Sequence, residues 1–162
     1  MSDLRLITFR VGPEIFVLDI MAIRQILTYS GTTSVPSAPS FIEGIIILRN
    51  EVVPLIDLRE RFAVEDADRS AKPLVLVTET GSGPIGLKVD EVLRIVTVPS
   101  ESLLPPPPVI RGVRGDLLIA IIPQGEQVFL LIDIDSILTT DERSELQSAD
   151  LSFSISGGTS ER

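Results

Sequence analysis

Residues 41–62 read FIEGIIILRNEVVPLIDLRERF, and this stretch decides the fold. An apolar run from Ile45 to Leu48 is followed by Arg49-Asn50-Glu51 and then by a second run from Val52 to Ile56. Two short apolar runs separated by a few polar residues specify two strands joined by a tight turn. Asn50 suits the bend, because its short polar side chain tolerates positive φ and bonds the local backbone. Asp57 then stands where an N-cap is needed, with Glu60 three residues on, so the spacing predicts one helical turn from Leu58 to Phe62.

Working outward, Leu4 to Val11 alternates with period two, and Gly12-Pro13-Glu14 turns it into Ile15 to Ile20 as a first hairpin. Ile20, Ile23 and Ile26 follow at spacing three, which fits a helical turn or a bent strand edge; periodicity alone does not separate the two. Thr28 to Ser40 is a polar connection, and Ala63 to Ala71 is a charged loop and a boundary between halves. Strands are expected over Pro73 to Thr78, Ile85 to Val89 and Val92 to Val98, with Gly81-Ser82-Gly83-Pro84 as a turn. Pro105 to Pro108 cannot donate backbone hydrogen bonds and form an extended connector. A stiff spacer is the ordinary reading of such a run, and a ligand for a proline-reading domain is the sharper one. Val113 to Ile122 and Val128 to Ile132 make another hairpin around Pro123-Gln124-Gly125-Glu126, and Asp133 caps a short helix ending near Leu138. Beyond Asp141 the chain is polar, a flexible tail over residues 141–162.

Composition narrows the function. The chain of 162 residues is 44% hydrophobic but only 4% aromatic, so Ile, Val and Leu must fill its interior, which suits strands. A net charge of −9 disfavours nucleic acid, whose binding draws on clustered Lys and Arg. It also disfavours an anionic leaflet. No apolar run approaches the roughly 20 residues that span a bilayer, and Met1-Ser2-Asp3 lacks the basic start of a signal peptide, so direct membrane insertion is not expected and a cytoplasmic location is. There is no Cys and no His, which removes thiolate chemistry, the commonest general base and the commonest metal ligand. Glu65-Asp66 with Asp68 reads as a solvated loop, and Asp133 with Asp135 as a cap and a polar helix face, so neither is assigned a metal or an acid/base role. The chain is read as a non-enzyme without cofactors.

The two halves echo each other in order. Gly12-Pro13 and a strand ending at Asp19 match Gly83-Pro84 and a strand ending at Asp90. Phe41-Ile42-Glu43-Gly44 matches Val109-Ile110-Arg111-Gly112, and Leu55-Ile56-Asp57-Leu58 matches Leu131-Ile132-Asp133-Ile134. A duplicated barrel of roughly 60 residues has a marginal core by itself, so the two copies are expected to pack on each other.

The ordered set of Pro39, Phe41, Ile42 and Gly44, the pair Leu48-Arg49, and Val-Pro-x-Ile-Asp-Leu-Arg from Val53 to Arg59 resembles the CheW family, the coupling proteins of bacterial chemotaxis. The likeness runs from about Leu4 to Leu138. It implies a mainly β fold of two pseudo-repeated five-stranded SH3-like barrels on a shared apolar core, with short helices and a groove between the barrels. The expected organisation is one domain over residues 1–140, with a first barrel at about 12–71 and a second at about 72–132 plus the N-terminal strand.

The resemblance also implies a non-enzymatic adaptor that binds the regulatory domain of a CheA-type histidine kinase and the cytoplasmic tip of a chemoreceptor, in arrays at the inner face of the membrane. A charged side chain at a hairpin tip is ordinarily just solvated, but the family's arginine at the place of Arg49 lies at the binding surface. Arg is also a good interface anchor. Asn50 replaces the glycine usual after it. Ile20, Ile23 and Ile26 are by default core; the family likeness sets them beside the groove that takes a receptor helix. Gln25 stands where many members carry Glu. The alternatives are a small-molecule-binding or enzymatic β-barrel, expected to hold an enclosed pocket with convergent polar groups, and an adaptor of the same family in a pilus or developmental pathway.

Overall fold

The computed structural model of the protein describes residues 2–64 and 72–138. In chain order the strands are β1 (Asp3–Val11), β2 (Glu14–Asp19), β3 (Ile23–Thr28), β4 (Ile42–Leu48) and β5 (Glu51–Asp57), followed by helix α1 (Leu58–Phe62). Then come β6 (Leu74–Thr80), β7 (Gly83–Val89), β8 (Glu91–Pro99), the two-residue β9 (Val109–Ile110) and β10 (Val113–Arg114), β11 (Leu118–Gln124) and β12 (Gln127–Ile132). One five-stranded sheet runs β11-β12-β2-β1-β8 and the other β3-β6-β7-β5-β4.

Each sheet closes on itself. The chain leaving β3 curls until Thr33 and Ile45 exchange backbone hydrogen bonds of 2.9 and 2.8 Å, and the chain leaving β8 does the same through Leu104 and Ile121. The result is two five-stranded barrels, the architecture expected from the sequence. Their membership differs from the division at residue 71. β2 lies in the barrel of β1, β8, β11 and β12, whereas β6 and β7 lie with β3, β4 and β5. The cause is an exchange of third strands: β3 pairs with β6 of the other half, and β8 pairs with β1. Neither half can close a barrel without the other. The expected tail over residues 141–162 and the acidic group at residues 65, 66 and 68 lie outside the described residues.

The duplication is present, but two of its three sequence echoes are out of register. Val11 opposite Glu14 makes Gly12-Pro13 the first hairpin turn, and Thr80 opposite Gly83 makes Gly81-Ser82 its counterpart; Gly83-Pro84 already belongs to β7. The bulge between Ile42 and Gly44 recurs between Leu118 and Ala120, so Gly44 corresponds to Ala120 rather than to Gly112 in the small β9–β10 hairpin. Leu55-Ile56 and Leu131-Ile132 do correspond, each opposite that bulge.

Strand alternation divides the interior into three clusters. Phe16 and Leu18 of β2, Leu76 of β6, Ile85 and Leu87 of β7 and Leu130 and Ile132 of β12 face the space between the barrels. Leu58 and Phe62 of α1 pack into the same cluster, with the Phe16 and Phe62 ring centroids 4.7 Å apart. The residues between them point into the barrels: Leu6, Val17, Ala120, Ile122 and Leu131 fill one, and Val53, Leu55, Val75 and Val77 the other. The cluster between the barrels is the largest, which is why two marginal barrels form one stable unit.

Asp57 caps α1 as the spacing predicts, accepting from the Arg59 backbone N–H at 3.0 Å. At the end of β12 there is a single 3₁₀ turn (Ile134–Ser136) instead of a longer helix; the Asp133 carboxylate accepts from the Ser136 hydroxyl at 2.8 Å, and it is the Asp133 backbone carbonyl that takes the Ser136 N–H, at 2.9 Å. The strand expected from Val113 to Ile122 is broken by a 3₁₀ turn at Gly115–Leu117, because its two ends pair with different partners: Val113 and Arg114 pair with β9, a register that Gly115 N–H extends by donating to Pro108 O at 2.7 Å, whereas Leu118 onward pairs with β12.

Candidate functional site

Arg49 and Asn50 are the two central residues of the β4–β5 turn, with Leu48 paired to Glu51 on either side. Their φ values are 50° and 68°, so both sit in the left-handed region that a two-residue hairpin turn of this hand requires. Asn accepts that region at little cost; for Arg it is uncommon. Both side chains are exposed at the turn.

The triplet at Ile20, Ile23 and Ile26 is not one helical face. Ile20 opens a 3₁₀ turn (Ile20–Ala22) capped by Asp19, whose carboxylate accepts from Met21 N–H at 2.9 Å, and β3 begins at Ile23. Ile23 packs against the shared core, so the default core reading holds for it in part. Ile26 pairs with the buried Leu76 yet is 43% exposed, while Gln25 is exposed and Met21, at 86%, is the most exposed large apolar side chain described.

What joins the two segments is Arg24, which no local pattern singles out. A bulge between Ile23 and Gln25 frees it from the ladder. Its guanidinium donates to Glu51 Oε1 at 2.7 Å and also to Glu79. The two carboxylates, Glu51 foremost, push its pKa above the ordinary value. Because Glu51 directly follows the Arg49-Asn50 turn, the ion pairs set that turn and the start of β3 at one end of the same barrel.

A buried pair ties the barrels together. Asp90, between β7 and β8, accepts from Arg59 Nη2 at 2.7 Å and from Gly12 N–H at 2.6 Å, so one carboxylate links α1 of one barrel to the first hairpin turn of the other. The carboxylate and guanidinium are 8% and 7% exposed.

A third cluster lies on the barrel of β3 to β7. Tyr29 donates to Glu43, Lys88 Nζ donates to Glu43 Oε1 at 2.9 Å, and the ammonium lies 4.2 Å from the Tyr29 ring centroid. The Glu43 hydrogen bond, reinforced by burial and the Glu43 charge, favours the neutral phenol and pushes its pKa from 10.0 up to about 12. A group whose folded pKa exceeds its unfolded one stabilises the fold in full below the unfolded value, so this contribution is complete below about pH 10 and is lost as pH rises towards 12. Tyr29 is the only tyrosine, so ultraviolet titration reads it directly. A phenolate midpoint near 12 is expected, and one near 10 contradicts the hydrogen bond.

Among the described residues no group of three Asp or Glu is placed to hold a metal ion, and no helix is long and apolar enough to cross a membrane. Where the chain leaving β3 diverges from β4 there is an open cleft of about 350 Å³ lined by residues 30–33 and 45–47, unlike the enclosed pocket that a small-molecule barrel requires.

A model of the CheW-like domain matches residues 5–142. The chain belongs to the CheW family. It is 28% identical to the chemotaxis protein CheW of Treponema pallidum, over 90% of this chain and 88% of that protein, and 31% identical to the probable chemotaxis protein CheW of Rhizobium etli, over 87% and 91%. The crystal structure of the scaffolding protein TtCheW from Thermoanaerobacter tengcongensis superposes with a TM-score of 0.80 at 26% identity, covering 88% of this chain and 92% of that one. CheW proteins are non-enzymatic scaffolds of chemotaxis signalling, and the family carries that assignment to this chain.

Proposed function

We propose that this CheW protein couples the cytoplasmic tip of a chemoreceptor to the regulatory domain of a CheA-type histidine kinase, within arrays at the inner face of the membrane. The observation that supports it is the placement of two exposed segments at one barrel end: the Arg49-Asn50 turn and the β3 region, joined through Arg24 to Glu51. Arg49, a cation on a rigid two-residue turn, anchors a partner carboxylate or carbonyl, and Asn50 borders it. Ile20, Ile23 and Ile26 supply aliphatic area for a helix laid beside them, with Gln25 as a neutral hydrogen-bonding neighbour. An adaptor of this kind shifts a kinase only through contacts that differ between its two states, so a fixed geometry between the sites matters more than the strength of either.

The test is calorimetric titration of the full chain with the kinase regulatory domain and, separately, with a receptor-tip fragment. Wild type binds both. Arg49→Ala is expected to weaken at least one of them about tenfold or more, ~1.4 kcal/mol. No binding by wild type, or no loss on Arg49→Ala, overturns the reading.

A further inference from the structure

The tetraproline run is not a spacer between domains. It is a strap on the surface of one barrel, pinned at both ends. Leu104 exchanges two backbone hydrogen bonds with Ile121, and Pro108 O accepts from Gly115 N–H, after which Val109 pairs with Arg114. Between these points residues 105–107 belong to no strand. Each of Leu104, Pro105, Pro106 and Pro107 precedes a proline, which confines it to extended or polyproline II backbone, and each proline fixes its own φ.

Over residues 104–108 the exposure pattern fits one turn of that helix. Leu104 and Pro105 are exposed, Pro106 is half-buried, and Pro107 and Pro108 are exposed again. Polyproline II has three residues per turn, so the two exposed pairs, Leu104-Pro105 and Pro107-Pro108, form successive ridges on one side while Pro106 faces the barrel. Two apolar-proline ridges one turn apart are what the aromatic slots of a PxxP-reading groove receive. Holding the segment rigidly in advance removes the ordering entropy that a free peptide loses on binding.

We propose that the strap is a preformed polyproline II ligand for a partner protein bearing an aromatic-lined groove. A second copy of this chain cannot supply that groove. It has no Trp, its one Tyr is engaged with Glu43 and Lys88, and the five Phe among the described residues, Phe9, Phe16, Phe41, Phe62 and Phe129, are all buried, which leaves of its six Phe only Phe153, a single ring where such a groove needs several. The partner is therefore a different protein. The surface is separate from the Arg49 turn and β3, so it adds a third contact to the coupling role.

The test uses the full chain labelled with ¹⁵N and, as probe, an SH3 domain of the PxxP-reading type. Saturable shifts are expected at the amides that flank the prolines, those of Leu104, Val109, Gly115 and Ile121. The Pro105→Ala/Pro108→Ala variant should lose at least tenfold in affinity while its own spectrum stays dispersed and its affinity for the kinase regulatory domain is unchanged. If the double variant fails to fold, Pro105→Ala alone, at an exposed position, gives the same comparison. Absence of a saturable shift, shifts that persist in a folded variant, or shifts that persist when the probe's groove tryptophan is replaced by alanine would each overturn the proposal.

Discussion

Asp90→Ala is expected to lower the stability of the protein by about 3–5 kcal/mol, the cost of removing one partner from a buried ion pair. The carboxylate is 8% exposed and accepts from two donors that belong to different elements, Arg59 Nη2 at 2.7 Å and Gly12 N–H at 2.6 Å. Its removal strips both donors of that acceptor where water has little access, and it does so at the joint between barrels. For a domain of this size the fall in Tm is roughly 6–20 °C. Glu91→Ala serves as the control next door: its ion pair with Arg10, at 3.1 Å, is solvated on both sides, so a change of no more than about 1 kcal/mol is expected. The double variant Arg59→Met/Asp90→Leu is expected to recover part of the loss, because it removes the two buried charges together while Gly12 N–H still lacks its acceptor. Thermal unfolding of the four proteins decides the matter. An Asp90→Ala variant as stable as Glu91→Ala means that the pair does not hold the barrels together.

That joint was invisible in the sequence, and the reason is distance along the chain. Arg59 and Asp90 are 31 residues apart, Gly12 and Asp90 are 78 apart, and Arg24 reaches partners 27 and 55 residues away. Short-range features were legible. The β4–β5 hairpin, the left-handed Asn50 and the Asp57 cap are each set by three or four consecutive residues, and each is present in the structure. Barrel membership was not legible, since the pairing of β3 with β6 and of β8 with β1 is decided by which edges remain open after the hairpins form. The repeat was legible in outline and misread in register. A Gly-Pro dipeptide looks the same in a turn, at Gly12-Pro13, as at the head of a strand, at Gly83-Pro84; only the opposing residue tells them apart. Of the candidate site, the Arg49-Asn50 turn could be read directly, while the exposure of Ile26 and the partial burial of Ile23 follow from a bulge at Arg24 that no local pattern announces.

The seam that closes one barrel and the strap on the other make the second large expectation, and the glycines there, Gly44 and Gly115, are required for space rather than for backbone dihedral. A Cβ on Gly44 would lie 2.4 Å from Thr33 O and 2.7 Å from Thr32 Oγ1, and Thr33 O is the atom that accepts from Ile45 N–H to close one barrel. A Cβ on Gly115 would lie 1.8 Å from Pro107 O, against the strap of the other. In both cases the obstacle is backbone, which cannot swing aside as a long side chain would. Gly44→Ala and Gly115→Ala are each expected to cost about 3 kcal/mol or more through overpacking, with Tm falling by roughly 6–12 °C. The pseudo-repeat supplies the control. Ala120, buried at the position that corresponds to Gly44, already carries the extra methyl, so its seam has been built around one. Ala120→Gly should therefore cost only about 1 kcal/mol, mainly backbone entropy. Hydrogen exchange sharpens the comparison, since Gly44→Ala should expose the Ile45 and Thr33 amides while leaving those of Leu104 and Ile121 protected. Equal losses from Gly44→Ala and Ala120→Gly would mean that the seam has room for a methyl and that its closure does not depend on glycine.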